Sequence, residues 1–486
     1  MKRSTFQKYL RYALLAITLF CVFVYTYDLQ LGDGDGIIAR FNLNPLAVFI
    51  PSCLIILLLL GTSSTRTWLS NVSLMFLSIF GILFVLEKLM PYVATYQAGV
   101  HESIQRIDNV FPYTSQDTIY FKNYRPNCQF RTQLRPVDGG RNILHQINSD
   151  GMRGPEVLPK NEKQQRVLLV GDSYIQATQV AYEESIGPQL DSLLGDSADV
   201  IQHGFPSWSP LLEWNWVLRK GLEFDPDLVV LFLYTNDFYS GDAVGDSGYL
   251  PYTRFNQAGE PAGFDFSSLE EAHLPKNRNP WTLFKAGWRR LRLVRMISFL
   301  SRQAQARRTL AEAELPSYFE MSTEDYEAAY AASNATKDLL TVALWDYIAL
   351  MRDSSLWSVK LQDRVQQSLQ HVAGLQQSLA KEGIPLVVCL IPYPWQFPGE
   401  NLIRKTEIVG WEDFVFPAGG LRDVAASFCA QKGIPFLDLY PTTAERKAAD
   451  PDQRLYCPSD PHWTVEGHLM AAETVQQFIH SEGLLK

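Results

Sequence analysis

From Arg166 to the C-terminus, short apolar runs alternate with stretches whose apolar positions recur at helical spacing. The runs Val167–Val170, Asp199–Gln202, Leu228–Tyr234, Pro385–Ile391 and Pro435–Leu439 are too short for buried helices, so each predicts a strand. Ser185–Leu194, Leu211–Lys220, Arg364–Ala380, Gly420–Lys432 and Val465–His480 carry the period of amphipathic helices. Strands alternating with helices predict a parallel sheet covered on both faces, hence a three-layer α/β/α domain. The sequence shows no internal repeat.

Two other regions depart from this rhythm. Ser240–Leu361 begins rich in glycine, proline and aromatic residues and then turns helical, with Trp288–Arg308 strongly basic. A basic amphipathic helix can lie on anionic lipid. The plainer reading, preferred here, is a helical cap whose arginines face water while Leu291, Val294 and Ile297 pack inward. Val100–Pro159 is mixed, aromatic and proline-bearing, and reads as a lead-in that packs against the α/β domain.

The N-terminal part is different again. Tyr12–Tyr27, Phe41–Thr65 and Thr67–Leu86 are apolar runs of the kind a bilayer span of roughly 20 residues requires. Lys2, Arg3, Lys8, Arg11 and Arg66 place the N-terminus and the second connector on the cytoplasmic side by the positive-inside bias. A cleaved signal peptide is the alternative for the first run, but no small-residue cleavage site follows it. The expected organisation is a transmembrane region over 1–95, a lead-in over 96–160, and the α/β domain over 161–486 with a helical insertion at 241–361. The expected location is a multi-pass membrane protein with its α/β domain outside the cytoplasm.

Composition narrows the picture further. The 486 residues allow more than one domain, and the net charge of −9 argues against a general nucleic-acid binder. Six cysteines in this length do not make a disulfide scaffold. Sequence alone cannot pair Cys128, Cys429 and Cys457. A Cys429–Cys457 bridge would restrain the loop that follows if the domain faces an oxidising compartment. There is no C-x-x-C and no ligand spacing that suggests zinc, so neither metal nor cofactor is expected.

The candidate chemistry lies at strand ends. Gly171-Asp172-Ser173 breaks the first strand, and a serine there stands at the rim where open α/β sheets bind ligands. Leu228–Tyr234 runs into Thr235-Asn236-Asp237. Ser459-Asp460-Pro461-His462-Trp463 precedes the last helix. Strand–Ser, strand–Asn and loop–Asp/His, in that order, resemble the SGNH (GDSL-type) hydrolase superfamily from about Asn148 to the C-terminus. The four lettered residues fall on Ser173, Gly204 (in Gln202-His203-Gly204-Phe205), Asn236 and His462, with Asp460 as partner of the histidine. The fold implied is of the SGNH, flavodoxin-like kind. Ile147–Gly154 resembles a segment upstream of the GDS motif in membrane-anchored members. It reads as a turn held by Asn148, Gly151 and Gly154, with an arginine near the site, Arg153, as the other reading.

Three departures from the family pattern stand out. Tyr234 occupies a position commonly glycine, Tyr174-Ile175-Gln176-Ala177 lacks the usual further glycine, and one residue rather than two separates Asp460 from His462. The tight Asp-x-His-Trp arrangement resembles the polysaccharide O-acetyltransferase branch. The resemblance implies Ser173 as nucleophile, His462 as base oriented by Asp460, and an oxyanion hole from the backbone N–H groups of Ser173 and Gly204 and the Asn236 amide. It implies a serine esterase cleaving acyl, including O-acetyl, esters on glycans or lipids. An O-acyltransferase fed by a membrane-bound acyl donor protein is the alternative, and a non-catalytic glycan-binding scaffold a second one. Taken singly, Ser173 could only cap a helix, Asn236 only hold a turn, and His462 only be a satisfied surface histidine.

Overall fold

The computed structural model describes residues 121–160, 165–238, 252–265, 315–334, 347–400 and 415–485. It also describes the strand pieces 37–38, 41–42, 104–106 and 113–117, and single helical positions within 82–89 and 294–301. The chain divides into two compact units, Met1–His101 with Pro275–Ser301, and Glu102–Leu274 with Arg302–Lys486.

The second unit is built on five parallel strands: β1 (Gln165–Gly171), β2 (Ala198–Gly204), β3 (Leu228–Leu233), β4 (Leu386–Leu390) and β5 (Phe436–Asp438). Their order across the sheet is β5-β4-β3-β1-β2. Every residue of β3 and β4 is buried, as a strand covered on both faces requires, so their apolar runs are unbroken rather than alternating. Register follows from pairing such as Leu231 with Val170 and Val388. The chain leaves β1 for β2 on one side and returns to β3 on the other. That reversal opens the crevice at the carboxyl ends of β1, β2 and β3.

Among the described residues, seven helices accompany the sheet: α1 (Ser173–Gln176), α2 (Ile186–Leu194), α3 (Pro210–Arg219), α4 (Val359–Lys381), α5 (Gly420–Lys432), α6 (Tyr440–Ala449) and α7 (Val465–Ser481). α2 packs on α7, and α3 packs on α4. Thr464 starts α7 by accepting the Gly467 N–H at 3.2 Å, which fixes where the preceding loop ends. The ten predicted elements of the α/β domain all form, with ends displaced by a few residues. The single turn α1 and the helix α6 were not foreseen.

The lead-in folds as antiparallel strands. Ile104–Arg106, Gln129–Gln133 and Asn142–Gln146 form one sheet, and Tyr113–Asp117 pairs with Phe121–Tyr124. In the insertion, the glycine- and proline-rich start forms a hairpin of Tyr252–Phe255 with Pro261–Asp265, and Leu315–Glu320 and Thr323–Asn334 are helical. In the basic stretch, Ile297 is 58% exposed rather than packed inward. Cys128, Cys389, Cys429 and Cys457 are free thiols, so the Cys429–Cys457 bridge does not form.

The membrane reading is corrected. No helix among the described residues is long and apolar enough to cross a membrane, so the multi-pass location has no spanning helix to rest on. Where the second run was to begin, Phe41–Asn42 pairs antiparallel with Ile37–Ile38. Hydropathy measures the apolar content of such a run but not which element forms. Of the rest of the three runs, only Ile82, Val85 and Leu86 are described, as helical positions, and the remainder falls outside the described residues.

Candidate active site

β1 ends at Gly171, and the chain turns through Asp172 into α1, so that Ser173 opens a single helical turn beyond the sheet edge. Asp172 caps that turn. Its Oδ1 accepts the Tyr174 N–H at 2.9 Å, and its Oδ2 accepts the Asn236 amide at 2.9 Å and faces Ser173 Oγ at 3.3 Å. Asn236 lies in the 3₁₀ turn Thr235–Phe238 that follows β3. The buried Asp172 carboxylate thus ties the serine turn to the asparagine turn across two neighbouring strands.

Gly204 is at the end of β2, in register with Gly171. A Cβ there would stand 2.4 Å from the Asp172 carbonyl oxygen and 2.6 Å from the Gln176 nitrogen, too close for any side chain. A hydrogen atom at this position lets the β2 backbone come up against the serine turn. Ala177 closes α1 at φ 55° and ψ 47°, in the left-handed region where glycine is the natural occupant. This is the segment in which the resemblance calls for a further glycine, so the chain adopts the shape that glycine would favour with alanine in its place.

The histidine comes from the loop between α6 and α7. His462 Nε2 is 2.7 Å from Ser173 Oγ, and Nδ1 bonds to Asp460 Oδ1. The Asp460 carboxylate also accepts the His462 N–H at 3.0 Å and the Gln179 side-chain amide at 3.4 Å. Burial opposes a charge on His462. The Asp460 carboxylate, through its charge and its hydrogen bond, and Asp172 further off outweigh it, so the His462 pKa lies above the usual histidine value. Burial likewise pushes Asp460 up, but the His462 charge and hydrogen bonds hold it well below the usual carboxylate range. A neutral imidazole against the serine, with an ionised carboxylate behind it, can take a proton from Oγ and stabilise the resulting imidazolium.

The structure therefore brings Ser173, Gly204, Asn236, Asp460 and His462 into one crevice. Tyr234, where the family pattern commonly has glycine, is buried against Tyr174 at 4.6 Å between ring centroids, and Tyr174 in turn lies 4.9 Å from the His462 ring. The Tyr174 hydroxyl donates to the Pro461 carbonyl at 2.5 Å. Trp463 is fully buried beside Tyr174. Neighbouring histidines stand apart from the chemistry. His203 is stacked on Trp216 at 4.2 Å, and burial lowers its pKa to about 3, as it does for His468.

Arg153 is buried and donates to the carbonyls of Gln176, Ala177 and Val180, the segment that closes α1. Asn148 shapes the turn before it, accepting the Asp150 and Met152 N–H groups at 3.0 and 2.9 Å. Both readings of this stretch hold at once: a turn positions an arginine, and the arginine grips backbone behind the serine. Gln179 and Tyr174 were not picked out from the sequence. Tyr174 adjoins the serine and could have been considered. Gln179 had no signal, because its partner is 281 residues away. Among the described residues, no group of three or more His, Cys, Asp or Glu is arranged to hold a metal ion.

The structure is thus a parallel α/β sheet with Ser173, His462 and Asp460 hydrogen-bonded in a row at its carboxyl edge. Residues 350–486 match a family model described as "SGNH hydrolase-like domain, acetyltransferase AlgX". The match places residues 350–486, the C-terminal part of the α/β domain with the Asp460–His462 loop, with the SGNH hydrolase-like family. No curated protein matches its sequence. Solved structures similar to it include an acetyl xylan esterase at 10% identity and a TM-score of 0.31, covering 64% of this chain and 98% of that one. A GDSL-like lipase from Bacteroides thetaiotaomicron is similar at 12% identity and 0.31, covering 67% and 93%. A lipase/acylhydrolase from Enterococcus faecalis is similar at 11% identity and 0.30, covering 66% and 97%. Likenesses of this size say nothing about what this chain acts on.

Proposed function

We propose that this protein is a serine esterase that cleaves acyl esters, with O-acetyl groups on glycans as the preferred class, through an acyl-Ser173 intermediate. The observation that carries this reading is the 2.7 Å approach of His462 Nε2 to Ser173 Oγ with Asp460 on the opposite ring nitrogen. Ser173 Oγ attacks the ester carbonyl carbon while its proton passes to His462 Nε2. The carbonyl oxygen becomes an oxyanion facing the N–H groups of Ser173 and Gly204 and the Asn236 amide. An amide nitrogen carries two hydrogens. Asp172 takes one from Asn236, which turns the second toward the oxyanion. Collapse expels the alcohol, protonated by His462. Water then attacks the acyl-serine, gives its proton to His462, and releases the acid as Ser173 is re-protonated.

A second reading has a specific observation in its favour. The family model matched over residues 350–486 is described as acetyltransferase-related, and the Asp-x-His-Trp loop lies within that stretch. Transfer to a sugar hydroxyl in place of water uses the same intermediate. Labelling of the wild type but not of Ser173→Ala by a fluorophosphonate probe tests the nucleophile. Incubation with an acetyl ester and a glycan acceptor then separates the two readings, since hydrolysis releases free acetate and transfer yields acetylated sugar. An unlabelled wild type of intact fold would remove both.

A further inference from the structure

We infer that Asp138 and Arg135, at the tip of the lead-in hairpin, are positioning residues for the Asp460–His462 pair, acting through Ser459. This inference rests on the reading of Ser173, His462 and Asp460 given above. The hairpin joins Gln129–Gln133 to Asn142–Gln146 through the 3₁₀ turn Pro136–Asp138. That turn buries none of its own residues, and Val137 is exposed at its tip, so apolar packing does not account for where it sits.

Its polar side chains do. Asp138 Oδ1 accepts the Ser459 N–H at 2.8 Å, and Oδ2 accepts the Ser459 hydroxyl. Arg135 Nη1 donates to Ser459 Oγ at 3.0 Å and to the Ser459 carbonyl at 3.3 Å. All three polar groups of Ser459 are therefore held by two residues more than 320 positions away. Ser459 adjoins Asp460, and neither helix nor regular strand holds the chain between Tyr456 and Trp463. The loop's other ties are single bonds: Tyr174 to the Pro461 carbonyl, Gln179 to the Asp460 carboxylate, Ser173 to His462, and, within the loop, the Cys457 N–H to the His462 carbonyl and the Asp460 N–H to the Cys457 carbonyl. A displacement of about 1 Å in a catalytic group can cost roughly 10²-fold in rate. Without the hairpin's grip, Ser459 loses all three of its polar partners, and the Asp460 backbone is left with its N–H bond to the Cys457 carbonyl at 3.2 Å.

The test uses the full chain. Asp138→Ala, Asp138→Asn, Arg135→Ala and Ser459→Ala are each measured for kcat and KM on an activated acetyl ester, for the rate of fluorophosphonate labelling at Ser173, and for Tm. The expected result for Asp138→Ala is a fall of about 10- to 100-fold in both kcat and labelling rate, with KM within a few-fold. The pair Asp138→Ala/Ser459→Ala should fall no further than the worse single variant, because both remove one connection. Ser459→Thr, which keeps the hydroxyl and the N–H, should restore most of the rate. Variants that lose Tm but keep the wild-type kcat and labelling rate would overturn the inference and leave only a structural brace. If Ser173→Ala keeps full activity, the reading of the site falls first. If Ser173→Ala is inactive and Asp138→Ala is at full rate, only this inference falls.

Discussion

β3 and the loop from Pro458 to Trp463 are held in opposite ways. All six residues of β3 are 0–1% exposed, and nothing but apolar packing and ladder hydrogen bonds fixes them. The loop is partly open to solvent, and side chains from two separate segments fix it by polar contacts: Arg135 and Asp138 from the lead-in hairpin, and Ser173, Tyr174 and Gln179 from the turn after β1. Apolar burial is non-directional, so it stabilises a strand without demanding one particular neighbour. Hydrogen bonds are directional and individually modest in net stability. They are poorly suited to holding a fold together and well suited to placing a histidine within tenths of an ångström. The sheet supplies stability and the loop supplies geometry.

Substitutions in the two regions should therefore fail in different currencies, and the largest effect belongs to the loop's chemistry. Ser173→Ala and His462→Ala should each lower kcat by about 10⁴-fold or more at unchanged Tm. The double variant should be hardly slower, which steady-state assays with an activated acetyl ester can check. In the sheet, Leu231→Ala removes a fully buried side chain and should cost roughly 2–5 kcal/mol of unfolding free energy in urea titrations. The kcat of its folded fraction should be unchanged. A Leu231→Ala protein of normal stability, or of normal stability but tenfold lower kcat, would blur the division between the regions.

Asn236→Ala comes next, because it removes one oxyanion donor and should slow turnover by roughly 10²–10³-fold with a modest change in KM. The pH profile gives a gentler test. The base must be neutral, so kcat/KM should fall as pH drops through the His462 pKa, which Asp460 and Asp172 raise. The acid limb should lie above the ordinary histidine value of about 6.5. In Asp460→Asn, residual activity should show that limb shifted downward, and an unmoved limb would detach Asp460 from His462.

The smallest effect concerns the turn that joins the two regions. Ala177→Gly relieves a left-handed alanine and should leave stability unchanged or raise it by up to about 1 kcal/mol, read as a small rise in Tm with activity retained. A clear loss of stability would mean that the alanine methyl packs usefully in its buried position.

Period and residue type alone led to the strands, the helices that cover them and the turn at Ser173. Runs such as Leu228–Leu233 can be buried only as strands covered on both faces, and Val465–Ser481 has one apolar stripe and a threonine cap. Those are local constraints, and local constraints are written in neighbouring residues. The apolar runs near the N-terminus show the limit of the same logic, since they were read as membrane spans, whereas no helix among the described residues is long and apolar enough to cross a membrane and the first residues of the second run, Phe41–Asn42, pair as a strand. Tertiary structure alone decided that Gly204 would meet the Asp172 carbonyl, that Asn236 would lean on Asp172, and that Asp138 would hold Ser459 across 321 residues. Contacts of that kind depend on how closed elements meet in space. A single hydrogen bond between distant residues leaves no period, no composition and no spacing in the chain that carries it.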